Sequence, residues 1–172
     1  AARETLFAAL TAARLAGARI VFDPNIRPRL WFSMAEARAV IGRMLQMTDI
    51  ALPSLDDELA HFGDADAAAV LTRMAAAGVA EIVVKDGPGA VHLRTDEGDA
   101  VLPTPSAAGV VDTTGAGDAF NAGYLSARLA GQAPREAVRL GQAMAAEVLR
   151  RYGARADRAT AAALAPQIRG GG

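Results

Sequence analysis

The sequence contains no cysteine, which excludes disulfide bonds, thiolate zinc sites and a cysteine nucleophile. Its two histidines, His61 and His92, lie far apart in the sequence and are more typical of ordinary surface or strand residues than of ligands. Aromatic residues make up 5% of the chain, and no basic tract is interleaved with them. Nucleic acid is therefore not an expected partner.

Long apolar runs are also absent. Charged residues interrupt every apolar stretch well before bilayer length, and no basic-then-apolar leader opens the chain. Charge is nearly balanced, with 18 Lys and Arg against 19 Asp and Glu. The sequence predicts a soluble, unsecreted, cytoplasmic protein with no membrane partner. Because it begins at Ala1 without a methionine and enters a helical pattern at once, we expect a piece of a longer chain.

The composition that remains is typical of one compact domain, with 52% hydrophobic and 22% charged residues among 172. Neither an internal repeat nor a linker is evident. We therefore predict one domain over residues 1–169, followed by a flexible glycine tail at 170–172.

Helix and strand signals alternate along the chain. Apolar residues at helical spacing predict helices, and short apolar runs predict buried strands. The predicted helices are one that ends at Gly17, then 34–46, 54–62, 64–78, 116–130 and 134–152, with a last turn at 161–164. The predicted strands are 18–22, 49–52 and 81–85, followed by antiparallel strands around residues 91–93 and 101.

Short polar residues mark three of the predicted helix starts. Ser33 followed by Glu36 has the spacing of a capping box, and Ser54 with Asp57 repeats it. Asp64 is the predicted cap of the helix that follows.

The alternation of strands and helices predicts an α/β fold, with a mostly parallel sheet covered by helices and an antiparallel extension. Ligands of such sheets bind at the carboxyl ends of the strands. We therefore expect the loops at 23–31, 53–57 and 86–89 to converge there, with residues 112–118 facing the same crevice.

The strongest functional signal is the glycine-bearing turn from Asp112 to Phe120, which opens directly into an apolar helix. Gly115 and Gly117 allow close backbone approach, and free N–H groups at a helix start attract an anion such as a phosphate. A carboxylate at Asp118 is useful beside a phosphate if it accepts a proton from an attacking hydroxyl, which makes it the candidate general base. The alternative is an ordinary helix start with an acidic first turn.

The loop at residues 23–31 is the second informative segment. Its prolines stiffen the chain and place Asn25 and Arg27 after a buried strand, and an arginine there can clamp a carboxylate or a phosphate. The alternative is a purely structural loop in which Asp23 pairs with Arg27 and Trp31 anchors the packing.

The segment 112–120, followed by Gly123, resembles the C-terminal signature of the ribokinase-like (PfkB) carbohydrate kinases. The resemblance implies a ribokinase-like fold whose N-terminal part and lid are absent from this chain. It also implies the use of ATP and Mg²⁺, with Asp118 binding and activating the sugar hydroxyl. The residues whose amides it assigns to an anion hole are Gly115, Ala116 and Gly117. The sequence does not decide whether the protein requires a monovalent cation or forms a homo-oligomer.

The Asp-Pro-Asn-x-Arg loop that ends in Leu-Trp is similar to the 2-keto-3-deoxygluconate kinase branch of that family. The resemblance implies that Asn25 lies near the nucleotide phosphates and that Arg27 lies near the phosphates and the carboxylate of a sugar acid. Related fructokinases share much of this loop, so the choice of acceptor stays open.

Two further segments resemble the family less closely. Lys85, Gly87 and Gly89 match a strand end and glycine turn beside the nucleotide, although one residue rather than the usual two separates the glycines. A plain hairpin turn explains them as well. Asp57, with Ser54, holds the position of an Asn-x-x-Glu motif that organises magnesium, which gives Asp57 an indirect, water-mediated metal role. A capping box explains the same pair.

The sequence thus predicts ATP-dependent phosphorylation of a hydroxyl on a small sugar acid, with 2-keto-3-deoxygluconate as the preferred acceptor. Fructokinase or another ribokinase-like sugar kinase is the alternative. A second alternative, an inactive nucleotide- or sugar-acid-binding module, is disfavoured because Asp118 is retained. We expect the isolated chain to be inactive, because the resemblance assigns much of the sugar pocket to the missing N-terminal half.

Overall fold

The computed structural model describes residues 2–164 and shows an α/β protein. The α-helices in this range are α1 (Ala2–Leu15), α2 (Met34–Leu45), α3 (Leu55–Phe62), α4 (Ala67–Ala76), α5 (Ala116–Leu129), α6 (Pro134–Leu149) and α7 (Arg158–Leu164). The strands are β1 (Val21–Phe22), β2 (Ile50–Ala51), β3 (Glu81–Lys85), β4 (Ala90–Thr95) and β5 (Gly98–Pro103). None of these helices has the length and apolar character that crossing a membrane requires.

The strands form one sheet in the order β1-β2-β3-β4-β5. Parallel pairing places Val21 opposite Ile50 and Ile50 opposite Glu81. Residues 86–89 join β3 to β4 and residues 96–97 join β4 to β5, and both connections are too short for the crossover that a parallel pair needs. The predicted parallel sheet with an antiparallel extension is therefore confirmed.

The chain divides into two compact units. The first unit runs to Gly87 and includes His92–Ala100, and the second consists of Pro88–Val91 and the chain from Val101 onward. The single domain over 1–169 stays a prediction, as does the crevice shared with residues 112–118. The predicted tail at 170–172 lies outside the described residues.

The first unit has a hydrophobic core to which α2, α4 and β3 contribute. Ile41, Leu45, Val70 and Ile82 are each at most 2% exposed. Ile26, in the loop after β1, belongs to the same cluster and is also 2% exposed. The middle of that loop is therefore anchored by burial of an apolar side chain.

Two of the predicted helix starts are in place, but only one uses its side chain as predicted. Ser33 Oγ accepts a hydrogen bond from the Glu36 N–H at 3.1 Å. Ser54 occupies the residue before α3, yet its side chain makes no capping hydrogen bond. Ser54 and Asp57 thus predict the start of α3 correctly, but the predicted capping hydrogen bond of the Ser54 side chain is absent.

The prediction that Asp64 caps α4 is also wrong. Asp66 directly precedes the first helical residue and accepts from the Ala69 N–H at 2.8 Å. Asp64 instead forms an ion pair with Arg73, whose Nη2 lies 2.7 Å from Oδ2 of Asp64. A capping side chain must lie within one residue of the helix start, and Asp64 lies too early in the chain.

The second unit is built around the packing of α5 against α6. A Cβ atom at Gly123 would lie 2.8 Å from the carbonyl oxygen of Leu140, and one at Gly141 would lie 2.9 Å from the ring of Phe120. Both distances are shorter than real contacts allow, so the two helices approach closely because these positions carry no side chain.

Candidate active site

The carboxyl ends of β1, β2 and β3 meet in the first unit, as predicted. The Lys85 N–H donates to the carbonyl of Pro53 at 2.9 Å, and Lys85 forms a parallel bridge with Ser54. The Lys85 ammonium lies 3.0 Å from Oδ2 of Asp23. Segments 23–31 and 53–57 therefore both contact the end of β3.

The ion pair between Lys85 and Asp23 is the main feature that the sequence did not predict. The Lys85 side chain is 9% exposed, and that of Asp23 is 23% exposed. Arg27, the expected partner of Asp23 in a purely structural loop, donates instead to the carbonyl of Ile26 at 2.9 Å. A lysine at the end of a fully buried strand requires an anion, which is a signal for an ion pair at Lys85 but does not identify Asp23 as its partner.

The loop turns sharply at Asn25. This residue has a φ of +37°, and it is the one non-glycine residue within 2–164 whose φ is positive. Its N–H donates to Oδ1 of Asp23 at 3.0 Å, which closes a local turn. Asn25 and Arg27 are exposed on either side of the buried Ile26. The strained turn thus presents both predicted site residues to solvent.

Asn25 and Arg27 face a cleft of about 320 Å³. Its walls are formed by Arg3, Pro24, Asn25, Arg27, Leu30 and Trp31. Arg3 was not predicted as a site residue: its Nη1 donates to Oε1 of Glu36 at 2.7 Å, and its guanidinium lies 5.4 Å from the Trp31 ring centroid. The cleft therefore offers arginine side chains, an amide and an aromatic wall, which suit a small polar anion.

Asp57 lies half-buried in the first turn of α3. Its carboxylate makes no hydrogen bond within residues 2–164, and no group of three or more acidic or histidine side chains in that range is gathered around a metal position. Asp57 thus has free oxygen atoms for a water-bound cation but cannot hold one in a cage of carboxylates.

The turn before α5 in the second unit is fixed by Asp112. Its Oδ1 accepts from the Thr114 N–H at 2.9 Å and its Oδ2 from the Gly153 N–H at 3.0 Å. The hydrogen bonds from Gly153 and Thr114 lower the pKa of the Asp112 carboxyl below its usual value. Asp112 therefore ties the turn to the segment that follows α6.

Gly115 could not be replaced by a larger residue without movement. It has a φ of +77°, and a Cβ atom there would lie 2.6 Å from the Cβ of Ala154. The backbone of Ala154 is equally close, at 2.7 Å, so a flexible side chain could not simply move away. The turn is held against residue 154 at a distance that only glycine permits.

Free donors are present at the start of α5, although not at all three predicted positions. The Ala116 N–H donates to the carbonyl of Thr113 at 3.2 Å. The N–H groups of Gly115, Gly117 and Asp118 have no acceptor within residues 2–164. The Asp118 carboxylate is exposed and makes no hydrogen bond or ion pair in the same range. The helix start therefore combines unsatisfied donors with an unpaired carboxylate.

The remaining predicted residues lie at the turn after β3. Gly87 has a φ of +45°, and the carbonyl of Gly89 accepts from the Thr104 N–H at 3.2 Å. This is the geometry of a glycine turn that leads into the hairpin, and it does not distinguish a nucleotide-binding role from a structural one.

Comparison with known proteins is consistent with these features. Residues 1–161 match the model of the pfkB family carbohydrate kinases. A 2-dehydro-3-deoxygluconokinase of Dickeya dadantii is 43% identical over 158 residues, which cover 90% of this chain and 51% of the relative. The chain thus spans about half the length of the curated relatives it matches.

Two solved structures share the fold. A fructokinase of Vibrio cholerae, bound to fructose, ADP and calcium, superposes with a TM-score of 0.83 at 25% identity, covering 96% of this chain and 56% of that one. A ribokinase II of Escherichia coli in complex with ATP and Mg²⁺ gives 0.75 at 27% identity, covering 85% of this chain and 47% of that one. Both likenesses support the predicted ribokinase-like architecture.

Proposed function

Because the chain belongs to the pfkB family of carbohydrate kinases, we propose that it carries the phosphate-binding and catalytic part of an ATP-dependent sugar-acid kinase. The observation that carries the proposal is that the start of α5 combines an exposed Asp118 carboxylate with backbone N–H groups that lack acceptors within residues 2–164. The proposed acceptor is 2-keto-3-deoxygluconate, the compound that the name of the 43% identical relative also denotes.

The proposed reaction is transfer of the γ-phosphoryl group to an acceptor hydroxyl. The hydroxyl oxygen bonds to the γ-phosphorus, the bond from that phosphorus to the oxygen of ADP breaks, and the Asp118 carboxylate accepts the hydroxyl proton. The N–H groups of Gly115 and Gly117 stabilise the negative charge that develops. Ala116 contributes to the shape of the turn, because its own N–H is bonded to Thr113.

Arg27 supports a sugar acid as the acceptor. Its guanidinium lines the cleft beside Asn25 and Trp31, and one nitrogen is used by the carbonyl of Ile26. The remaining donors suit a carboxylate, which a guanidinium can bind through two parallel hydrogen bonds. A neutral sugar lacks that group and gains less from this position.

The residues present also fit a nucleotide with its magnesium ion. Asp57 would bind a magnesium-bound water, and the turn at Gly87 and Gly89, after Lys85, would border the nucleotide. Bound Mg²⁺ supplies neutralisation of the phosphate charge. A cytoplasmic location is part of the same proposal.

Fructokinase is the second candidate, because the fructose-bound structure matches nearly the whole chain. An assay of ADP release by a full-length kinase that contains this chain, with several sugars and sugar acids, separates the two. We expect 2-keto-3-deoxygluconate to give the highest kcat/KM. A clear preference for fructose would replace the first proposal by the second.

Asp118→Asn tests the catalytic role directly. We expect kcat to fall by about 100- to 10,000-fold, the usual contribution of a general base, with little change in the KM for ATP. Asp96→Asn, at the exposed turn between β4 and β5, is the matched control and should retain full activity. If the full-length wild type binds ATP and releases no ADP with any acceptor, the chain is part of a binding module and the kinase proposal is wrong.

A further inference from the structure

The ion pair between Lys85 and Asp23 links the end of β3 to the loop after β1. The two residues are 62 positions apart in the sequence, and their charged atoms lie 3.0 Å apart. The Lys85 side chain is 9% exposed, so its ammonium group loses most of its hydration and depends on a charged partner. Asp23 supplies that charge and is itself fixed by the contact.

The same carboxylate also controls the backbone of the loop. Oδ2 of Asp23 receives the ammonium, while Oδ1 accepts the N–H of Asn25 at 3.0 Å. The φ of +37° at Asn25 is disfavoured for a residue with a side chain and persists only where its surroundings enforce it. The surroundings here are the Asp23 hydrogen bond before the turn and the burial of Ile26 after it.

We propose that Lys85 is a positioning residue, which acts through Asp23 to hold Asn25 and Arg27 in the conformation that receives the anionic group of the acceptor. This inference rests on the proposed function, since it assigns Lys85 to the acceptor rather than to the nucleotide. The family resemblance instead implies that Lys85 lies beside the nucleotide. In the structure its ammonium contacts Asp23, in the loop after β1.

Lys85→Met removes the charge while keeping most of the side-chain volume. In a full-length kinase that contains this chain, we expect the KM for the sugar acid to rise on the order of tenfold to a hundredfold, the effect of a small displacement of binding groups. The KM for ATP should change by less than about twofold, because the variant leaves phosphate binding at α5 untouched. Asp23→Asn should show the same pattern.

The double variant tests whether the two residues act as one unit. If they do, Lys85→Met combined with Asp23→Asn is no worse than the more damaging single variant. Independent, multiplying losses would show that Lys85 does not act through Asp23. A rise in the KM for ATP alone would show that Lys85 contacts the nucleotide, and that result would also overturn the inference.

Arg94→Met is the matched control for stability. Arg94 and Asp99 form an ion pair at 2.6 Å between β4 and β5, in the same unit but outside the loop. Its loss should leave both KM values unchanged. If Arg94→Met shifts the KM for the sugar acid as much as Lys85→Met does at equal thermal stability, the role of Lys85 is general stabilisation.

A readout without catalysis separates this inference from the proposed function. Trp31 is the only tryptophan in the sequence and ends the loop that Lys85 is proposed to hold. We expect Lys85→Met to make Trp31 fluorescence in the 172-residue chain more accessible to acrylamide quenching, while Arg94→Met leaves it unchanged. Unchanged quenching in Lys85→Met would refute the positioning role whatever the enzyme assays show. Increased quenching in a protein that phosphorylates no sugar acid would instead reject the proposed function alone.

Discussion

At the scale of single residues, Arg27 decides between a sugar acid and a neutral sugar. Arg27→Ala removes charge-assisted hydrogen bonds worth roughly 1.5–3 kcal/mol, so we expect the KM for the sugar acid to rise about tenfold or more. A neutral sugar should be affected much less, because it offers no carboxylate. Steady-state kinetics with both acceptors measure the difference.

Arg29 provides the control for this prediction. It lies two residues further along the same loop, is exposed, and does not line the cleft. Arg29→Ala should therefore leave both KM values near those of the wild type. Equal losses for the acid and the neutral sugar in Arg27→Ala would instead favour a contact between Arg27 and the phosphates.

The same loop shows how far residue-level prediction reaches. The positions of Asn25 and Arg27 followed from a short buried strand and the prolines after it, which are local signals. The pairing of Asp23 with Lys85 did not follow, because nothing local distinguishes Lys85 from Arg27 as the partner. Only the parallel order of the strands brings the end of β3 to the loop after β1.

At the scale of elements, α3 and α4 are joined by a buried charge network. Glu58 of α3 is fully buried, and its Oε2 accepts from Nη2 of Arg73 in α4 at 2.6 Å. Arg73 also forms an ion pair with Asp64, and its guanidinium lies over the ring of Phe62, 4.2 Å from the ring centroid. Oε1 of Glu58 has no partner within residues 2–164. A buried carboxyl with one unsatisfied oxygen is a costly element of the fold.

Burial raises the pKa of Glu58 from 4.5 to about 7, although Arg73 opposes the shift. As pH rises from 4.5, the unfolded chain loses a proton that the folded chain retains until about pH 7. The stabilising contribution of Glu58 is therefore present below this window and lost across it. Glu58→Gln cannot ionise, so its free energy of unfolding relative to the wild type should increase by about 1–3 kcal/mol across the window.

Urea unfolding at pH 4.5 and pH 8 measures this change. The other charged groups that face Glu58 are Arg73, Asp64 and Asp57, and all three remain in the variant. Glu97→Gln, at the exposed turn between β4 and β5, controls for the loss of one carboxylate. Parallel stability profiles for Glu58→Gln and the wild type would show that Glu58 ionises normally in the folded chain.

Sequence patterns located these elements better than they located their contacts. Capping residues and a terminal glycine indicated the positions of α3 and α4, and a short apolar run indicated β3. The prediction of Asp64 as the cap of α4 was wrong because the first helical residue is Ala67, and helix boundaries are the least regular feature of a sequence. The ion pair between Arg73 and Asp64 is a tertiary contact, and no local sequence pattern predicts it.

At the scale of the whole molecule, the chain corresponds to about half the length of the kinases it matches. The loop at Arg27 and the turn at Asp118 could each be predicted from the sequence because each is one short segment, whereas the contribution of Arg3 from α1 to the cleft could not. Leu30 lines the cleft and is 81% exposed, and the nearby Phe32 is 96% exposed, so this side of the cleft is open to solvent. We therefore propose that the acceptor site requires residues outside these 172.

This leads to the prediction that the 172-residue chain alone binds ATP weakly and releases no ADP with any sugar acid, whereas the full-length kinase turns over. Isothermal titration with ATP and the coupled assay, run on both proteins, test it. The physical reason is that a binding cleft excludes water and orients its ligand by enclosing it, and one open wall does neither. The rate of Asp118→Asn in the full-length kinase defines the background of the assay, because this variant keeps the whole fold but lacks the proposed general base. If the isolated chain exceeded that background and approached the full-length rate, its own residues would suffice to orient the acceptor, and the exposed positions of Leu30 and Phe32 would need another explanation.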